Sequence, residues 1–140
     1  MNRRPNDERC WLTARMAIAI HGQAIALVGG APGSRDAGLL DSALDRPRNL
    51  AAYGDAPTIF DLAAAYCVGI VRNHPFVDGN KRTGYLTAHV FLGLNGIAIE
   101  PEEADIVTYV EGVAAGTVDE AHVAQWLAQA SRDADVGASG

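Results

Sequence analysis

Along the chain, apolar positions recur at helical spacing in blocks separated by Gly, Pro, Ser and Asn. The first block follows Thr13, whose hydroxyl can cap a helix. Met16, Ile20 and Leu27 give it an apolar face to about Val28, and Gly29-Gly30 stop it. Residues 31–38, rich in Gly, Pro and Ser, read as a loop. Asp36 can then cap a short helix through Leu39, Leu40, Ala43 and Leu44, which Pro47 is expected to end. Pro57-Thr58 opens the next helix. Thr58 and Asp61 there resemble a capping box with Asp in place of Glu, and Leu62, Tyr66 and Ile70 carry the helix to about Asn73.

Residues 74–80 interrupt the periodicity. Pro75 pushes His74 out of helical geometry, and Gly79 opens a backbone conformation closed to other residues. Asn80 reads as the N-cap of a helix over about 81–95. That helix is apolar nearly all round, with Tyr85, Leu86, Ala88, Val90, Phe91, Leu92 and Leu94, which assigns it to the centre of the domain. After an extended piece at 97–100, Pro101-Glu102-Glu103 starts a further helix ending near Gly116. Thr117 or Asp119 caps the last helix, which contains Val123, Trp126 and Leu127. The pattern predicts an all-α chain, with a single domain over residues 1–131 and a flexible tail over 132–140.

Composition narrows the class. A length of 140 residues suits one core, and 49% hydrophobic with 20% charged residues is the balance of a soluble globular domain. The net charge of -6 argues against wrapping a nucleic-acid backbone, so no direct nucleic acid binding is expected. Cys10 and Cys67 form no CxxC pair, which points to a reducing, cytoplasmic compartment, and Cys67 reads as a small buried hydrophobe. Arg3 and Arg4 precede an apolar run, but Asp7, Glu8 and the interruption at His21-Gly22-Gln23 rule against a signal peptide, and the run is too short for a membrane span. His21 itself reads as a packed or partly exposed helical residue rather than a ligand.

Polar chemistry concentrates in residues 74–82, which feed a helix N-terminus where unpaired N–H groups attract anions. His74 can take a proton from a hydroxyl near neutral pH. Asp78 can hold Mg²⁺, Gly79 lets the backbone approach a phosphate, and Lys81 and Arg82 offset polyphosphate charge. Phe76 is expected to anchor the loop in the core. This is not a Walker A loop, because Asn80 rather than Gly precedes Lys81 and the preceding element reads as a helix. His21, His74, His89 and His122 are too scattered for a zinc signature.

The run His74-Pro-Phe-Val-Asp-Gly-Asn-Lys-Arg82 resembles the signature loop of the Fic/Doc superfamily, whose Fic pattern is His-x-Phe-x-[Asp/Glu]-Gly-Asn-Gly-Arg-x-x-Arg. Lys81 stands where that pattern has its second Gly and Tyr85 where it has its second Arg. Both departures match the Doc (death-on-curing) branch, the toxins of type II toxin–antitoxin systems. The segment 34–47 and Leu94-Asn95-Gly96 carry the likeness over about residues 12–130. The resemblance implies a bundle of about six helices with the motif loop between two central ones, and ATP and Mg²⁺ as cofactors. It implies His74 as the catalytic base, Asp78 as the metal residue, and Gly79, Asn80, Lys81 and Arg82 as the nucleotide-binding set. The implied activity is transfer of the ATP γ-phosphate to a Thr or Ser hydroxyl of a protein, elongation factor Tu, arresting translation. The implied partner is a Phd-type antitoxin. An AMP transferase and a catalytically silent protein-binding module are the competing readings.

Overall fold

The computed structural model describes residues 9–139, with side chains through 135; Arg3, Arg4, Asp7 and Glu8, invoked above against a signal peptide, lie outside the described residues. Among the described residues six helices follow one another: α1 (Ala14–Val28), α2 (Ala37–Tyr53), α3 (Ile59–Asn73), α4 (Asn80–Leu94), α5 (Glu103–Ala115) and α6 (Glu120–Ser139). Among the described residues extended pairing is limited to an isolated bridge between Ser34 and Phe76. No described helix is long and apolar enough to cross a membrane.

Caps act where the sequence places them. The Thr13 hydroxyl accepts from the Met16 N–H, and the Asp36 carboxylate accepts from the Leu39 N–H at 2.9 Å. Thr58 and Asp61 exchange both bonds of a capping box, at 2.8 and 3.1 Å. Asp119, one of two candidates for α6, accepts from the His122 N–H. Each such cap satisfies donors that a helix start leaves open and contributes about 1 kcal/mol.

Two expectations change. α2 does not stop at Pro47 but runs six residues beyond it, to Tyr53. The ring is buried on the same face as Leu40, Ala43 and Leu44, so packing outweighs the one helical bond that proline removes. The carbonyl left without that bond belongs to Ala43, and Gly69 of α3 packs there: a Cβ on Gly69 would stand 3.3–3.4 Å from Ala43 backbone and side-chain atoms. The central helix, in turn, is α3 rather than α4. Residues 62–71 of α3 are all buried, and α3 packs against α2, α4, α5 and α6. Small residues at 63–65 let those neighbours close in, whereas α4 turns Lys81, His89 and Gly93 to solvent. α6 continues through residues 132–139, the segment read as a tail; Gln129 joins Asp133 and Arg132 by side-chain bonds on its surface.

The core fixes what the site stands on. Tyr66 of α3 accepts from the Leu12 N–H at 3.0 Å, holding the chain ahead of α1. Burial pushes its hydroxyl above the usual tyrosine pKa and pushes the buried Cys67 thiol up to about 12, so Cys67 is an inert apolar contact.

Candidate active site

The loop between α3 and α4 forms because Pro75 stops α3, whose last residue is Asn73. His74 caps the helix in the left-handed region, φ 54° and ψ 54°, with its N–H still donating to Ile70. The guanidinium of Arg35 holds that turn from outside: its Nε donates to the His74 carbonyl at 2.7 Å and its Nη2 to the Asn73 carbonyl at 3.0 Å. The backbone N–H groups of Arg35 and Asp36 both donate to the Pro75 carbonyl, and the Val77 N–H donates to Gly33. The segment between α1 and α2 is therefore strapped along the loop. Phe76 is fully buried beneath it, as expected.

Asn80 does not cap α4. The N-cap is Gly79, at φ 76° with no side-chain cap bond, a conformation glycine adopts without a steric penalty. The Asn80 amide instead turns back, accepting from the Phe76 N–H and donating to the Phe76 carbonyl, each at 3.0 Å. Because that side chain is spent inside the loop, no hydrogen bond to the N–H groups of Asn80, Lys81 and Arg82 is present among the described residues; the first helical bond runs from Thr83 to Gly79. A helix start in this condition presents free donors and the positive end of the peptide dipoles.

These amides open on a cleft of about 380 Å³, within the range of small-ligand sites. His74, Asp78, Gly79, Asn80, Lys81 and Arg82 all line it, so the structure brings together every site residue the sequence singles out. Val28, Val71 and the α5 residues Ile106, Val107, Val110 and Ala114 make an apolar wall. The His74 side chain is exposed, and its imidazole makes no hydrogen bond among the described residues. Asp78 Oδ1 accepts from the Gly79 N–H at 2.9 Å and Oδ2 from the Ala31 N–H at 3.3 Å. Each oxygen keeps a lone pair, which suits one carboxylate ligand to a Mg²⁺ that takes its other ligands from phosphates and water. Among the described residues no group of three His, Cys, Asp or Glu could by itself enclose a metal ion.

Three features escape a reading of the loop alone. Both cations are already paired with α5: Lys81 Nζ lies 3.1 Å from each oxygen of Glu111, and the Arg82 guanidinium forks onto the Glu103 carboxylate. Exposed pairs of this kind contribute about 0–1 kcal/mol and yield to a stronger anion. Tyr85 does not reach the cleft; its hydroxyl meets His89 Nδ1 at 3.1 Å, its ring lies against Trp126, and burial raises its pKa to about 12. His21, read as packing, is buried but also bonds the loop, with Nε2 2.8 Å from the Asp78 carbonyl oxygen. Its signal in sequence was a lone polar side chain on the apolar face of α1.

Comparison with known proteins gives concordant matches. The family model described as Fic/DOC family matches residues 11–92. The chain is 36% identical over 112 residues to "Protein kinase doc" of Escherichia phage P1, covering 79% of this chain and 86% of that protein. It is 46% identical over 72 residues to "Toxin Doc" of Mycolicibacterium smegmatis, covering 51% of this chain and 55% of that protein.

Proposed function

Since the chain belongs to the Fic/Doc family, we propose that it is the toxin of a toxin–antitoxin pair and a nucleotide-dependent protein kinase, which moves the γ-phosphate of ATP onto a Thr or Ser hydroxyl of a translation factor. The observation that carries this reading is one cleft that holds the unbonded His74 imidazole, the Asp78 carboxylate and an uncapped helix start. The names of the two relatives, a kinase and a toxin, support it.

In this mechanism His74 removes the proton from the target hydroxyl. The oxygen so freed bonds the γ-phosphorus as the bond to the β-bridging oxygen breaks, and ADP leaves. The amides of Asn80, Lys81 and Arg82 face the phosphates, and the two side-chain cations exchange their α5 carboxylates for phosphate oxygens. Positioning and fixed charge of this kind dominate phosphoryl transfer. Asp78 would hold Mg²⁺, which when bound offsets charge on the phosphates. Lys81 fills space that a glycine would leave beside the backbone, which favours γ-phosphoryl over AMP transfer. Tyr85 contributes by supplying no second guanidinium. An antitoxin of the Phd type and elongation factor Tu complete the proposal as partner and target.

The test is incubation with ATP, Mg²⁺ and elongation factor Tu, followed by intact-mass and peptide mass spectrometry. A phosphoryl increment is expected, absent with His74→Asn, a replacement that tolerates the left-handed backbone. An adenylyl increment would overturn the phosphoryl assignment. Expression without antitoxin that leaves both growth and target unchanged would favour a silent binding module.

A further inference from the structure

His21 stands in the middle of α1, outside the motif, and is 4% exposed. Its ring stacks on Phe76 with centroids 3.9 Å apart and planes 5° apart, and its Nε2 is 2.8 Å from the Asp78 carbonyl oxygen. A carbonyl oxygen only accepts, so Nε2 carries a hydrogen whether the ring is neutral or charged. That bond bears on the cradle through the peptide plane. The Asp78 carbonyl and the Gly79 N–H belong to one rigid unit and turn together. Gly79 sits at φ 76°, and glycine also adopts negative φ, so a flip of the 78–79 peptide meets little backbone resistance of its own. Such a flip would swing a carbonyl, the negative end of a dipole, toward the entrance of α4 where phosphate is to bind.

We infer that His21 is a positioning residue for the anion cradle: its Nε2–H holds the Asp78 carbonyl toward α1 and so keeps the donors at the start of α4 open to a polyphosphate. The inference rests on the nucleotide reading of the cleft. The stack on Phe76 orients the donor, since the ring cannot rotate without leaving a partner that is itself fully buried. The same packing crowds Gly79, where a Cβ would come within 2.9 Å of Ile25 and 3.7 Å of His21 Nε2.

Two substitutions separate donor from bulk. His21→Phe keeps an aromatic ring against Phe76 and removes the hydrogen, while His21→Gln restores an N–H of similar reach. Titration calorimetry with ATP and Mg²⁺, well below the melting temperature of each variant, should show roughly a tenfold weaker Kd for His21→Phe, the scale of one oriented hydrogen bond, and recovery of most of it in His21→Gln. A purely structural role would instead lower both melting temperatures and leave the affinity of the folded protein unchanged, which would overturn the inference. A ring-nitrogen NMR spectrum of the nucleotide-free wild type should show Nε2 protonated, and an unprotonated Nε2 would refute the clamp outright. If the wild type binds no ATP at all, the nucleotide reading fails. The clamp is then judged by that spectrum and by the backbone amide shifts of residues 79–82, which should move in His21→Phe and return in His21→Gln.

Discussion

Truncating Asn80 distinguishes a ligand from a clip. Its side chain makes two 3.0 Å bonds to the N–H and carbonyl of Phe76, a residue with no exposed surface. Asn80→Ala strands both groups, and each stranded buried group costs about 1–3 kcal/mol. Water can enter from the exposed His74 and Asp78 on either side, and alanine gains roughly 0.5 kcal/mol of helix propensity, so the lower end applies and a net loss of about 2–3 kcal/mol is expected. For a chain of 140 residues that corresponds to a fall in Tm of about 8–12 °C. Urea unfolding followed by far-UV circular dichroism measures it, with an unchanged m-value if only the native state is affected. Asn80→Asp should fall between wild type and Asn80→Ala in stability, because a carboxylate accepts from the Phe76 N–H but cannot donate to its carbonyl. It should bind ATP more weakly than either, because it adds negative charge at the cradle. If Asn80→Ala unfolds within about 0.5 kcal/mol of wild type, the size of an ordinary surface change, the side chain is no clip and the open helix start needs another cause.

Three further outcomes follow from the packing and charge. A Cβ on Gly84 would stand 2.6 Å from Val71 Cγ2 and 2.9 Å from the Cys67 carbonyl oxygen, so Gly84→Ala should destabilise by about 1–2 kcal/mol in urea melts through overpacking at the α3–α4 contact; a stabilised variant would refute that contact. Replacing Glu103 and Glu111 together by Gln frees Arg82 and Lys81. ATP affinity should rise several-fold at low salt and the gain should shrink as salt is added, with stability changed by less than about 1 kcal/mol; unchanged affinity at low salt would show that the pairs do not compete with phosphate. Although His89 borders solvent, partial desolvation of its ring beside Tyr85 holds the imidazole below its ordinary 6.5, so the unfolded chain takes up that proton first as pH falls. Its contribution to stability is therefore complete above that value and is lost as pH drops through it toward the folded-state pKa. His89→Gln should flatten the slope of stability against pH there, and an unaltered slope would clear His89 of responsibility.

Much of this architecture is legible in residue order because helix starts are local. Thr13, Asp36 and Thr58 each sit a few residues from the donors they satisfy, and Pro75 acts on the residue before it. What misleads is tertiary. Pro47 reads as a stop because its missing bond is local, while the face that keeps it in α2 is supplied by α3. The apolar circumference of α4 suggests the centre, yet small residues at 63–65 give that place to α3. The motif residues converge because they are nearly consecutive. Arg35 and His21, which hold the loop from 39 and 57 positions away, reach it only through folding.

The backbone accounting of the loop explains why the start of α4 suits an anion. Arg35 takes the carbonyls of Asn73 and His74, the backbone at residues 35–36 takes that of Pro75, Asn80 that of Phe76 and His21 that of Asp78. The carbonyls of residues 73–76 and 78 are thus occupied by donors reaching in from α1, the strap and α4 itself. The donors at Asn80, Lys81 and Arg82 are left with no backbone or side-chain acceptor among the described residues. A bare turn would expose both kinds of group and bind either sign weakly. Here the carbonyls of residues 73–76 and 78 are bonded, so the backbone groups left open at the start of α4 are donors and add to its dipole. On this argument the selectivity of the cleft is set as much by residues that never touch its contents as by the cations that line it.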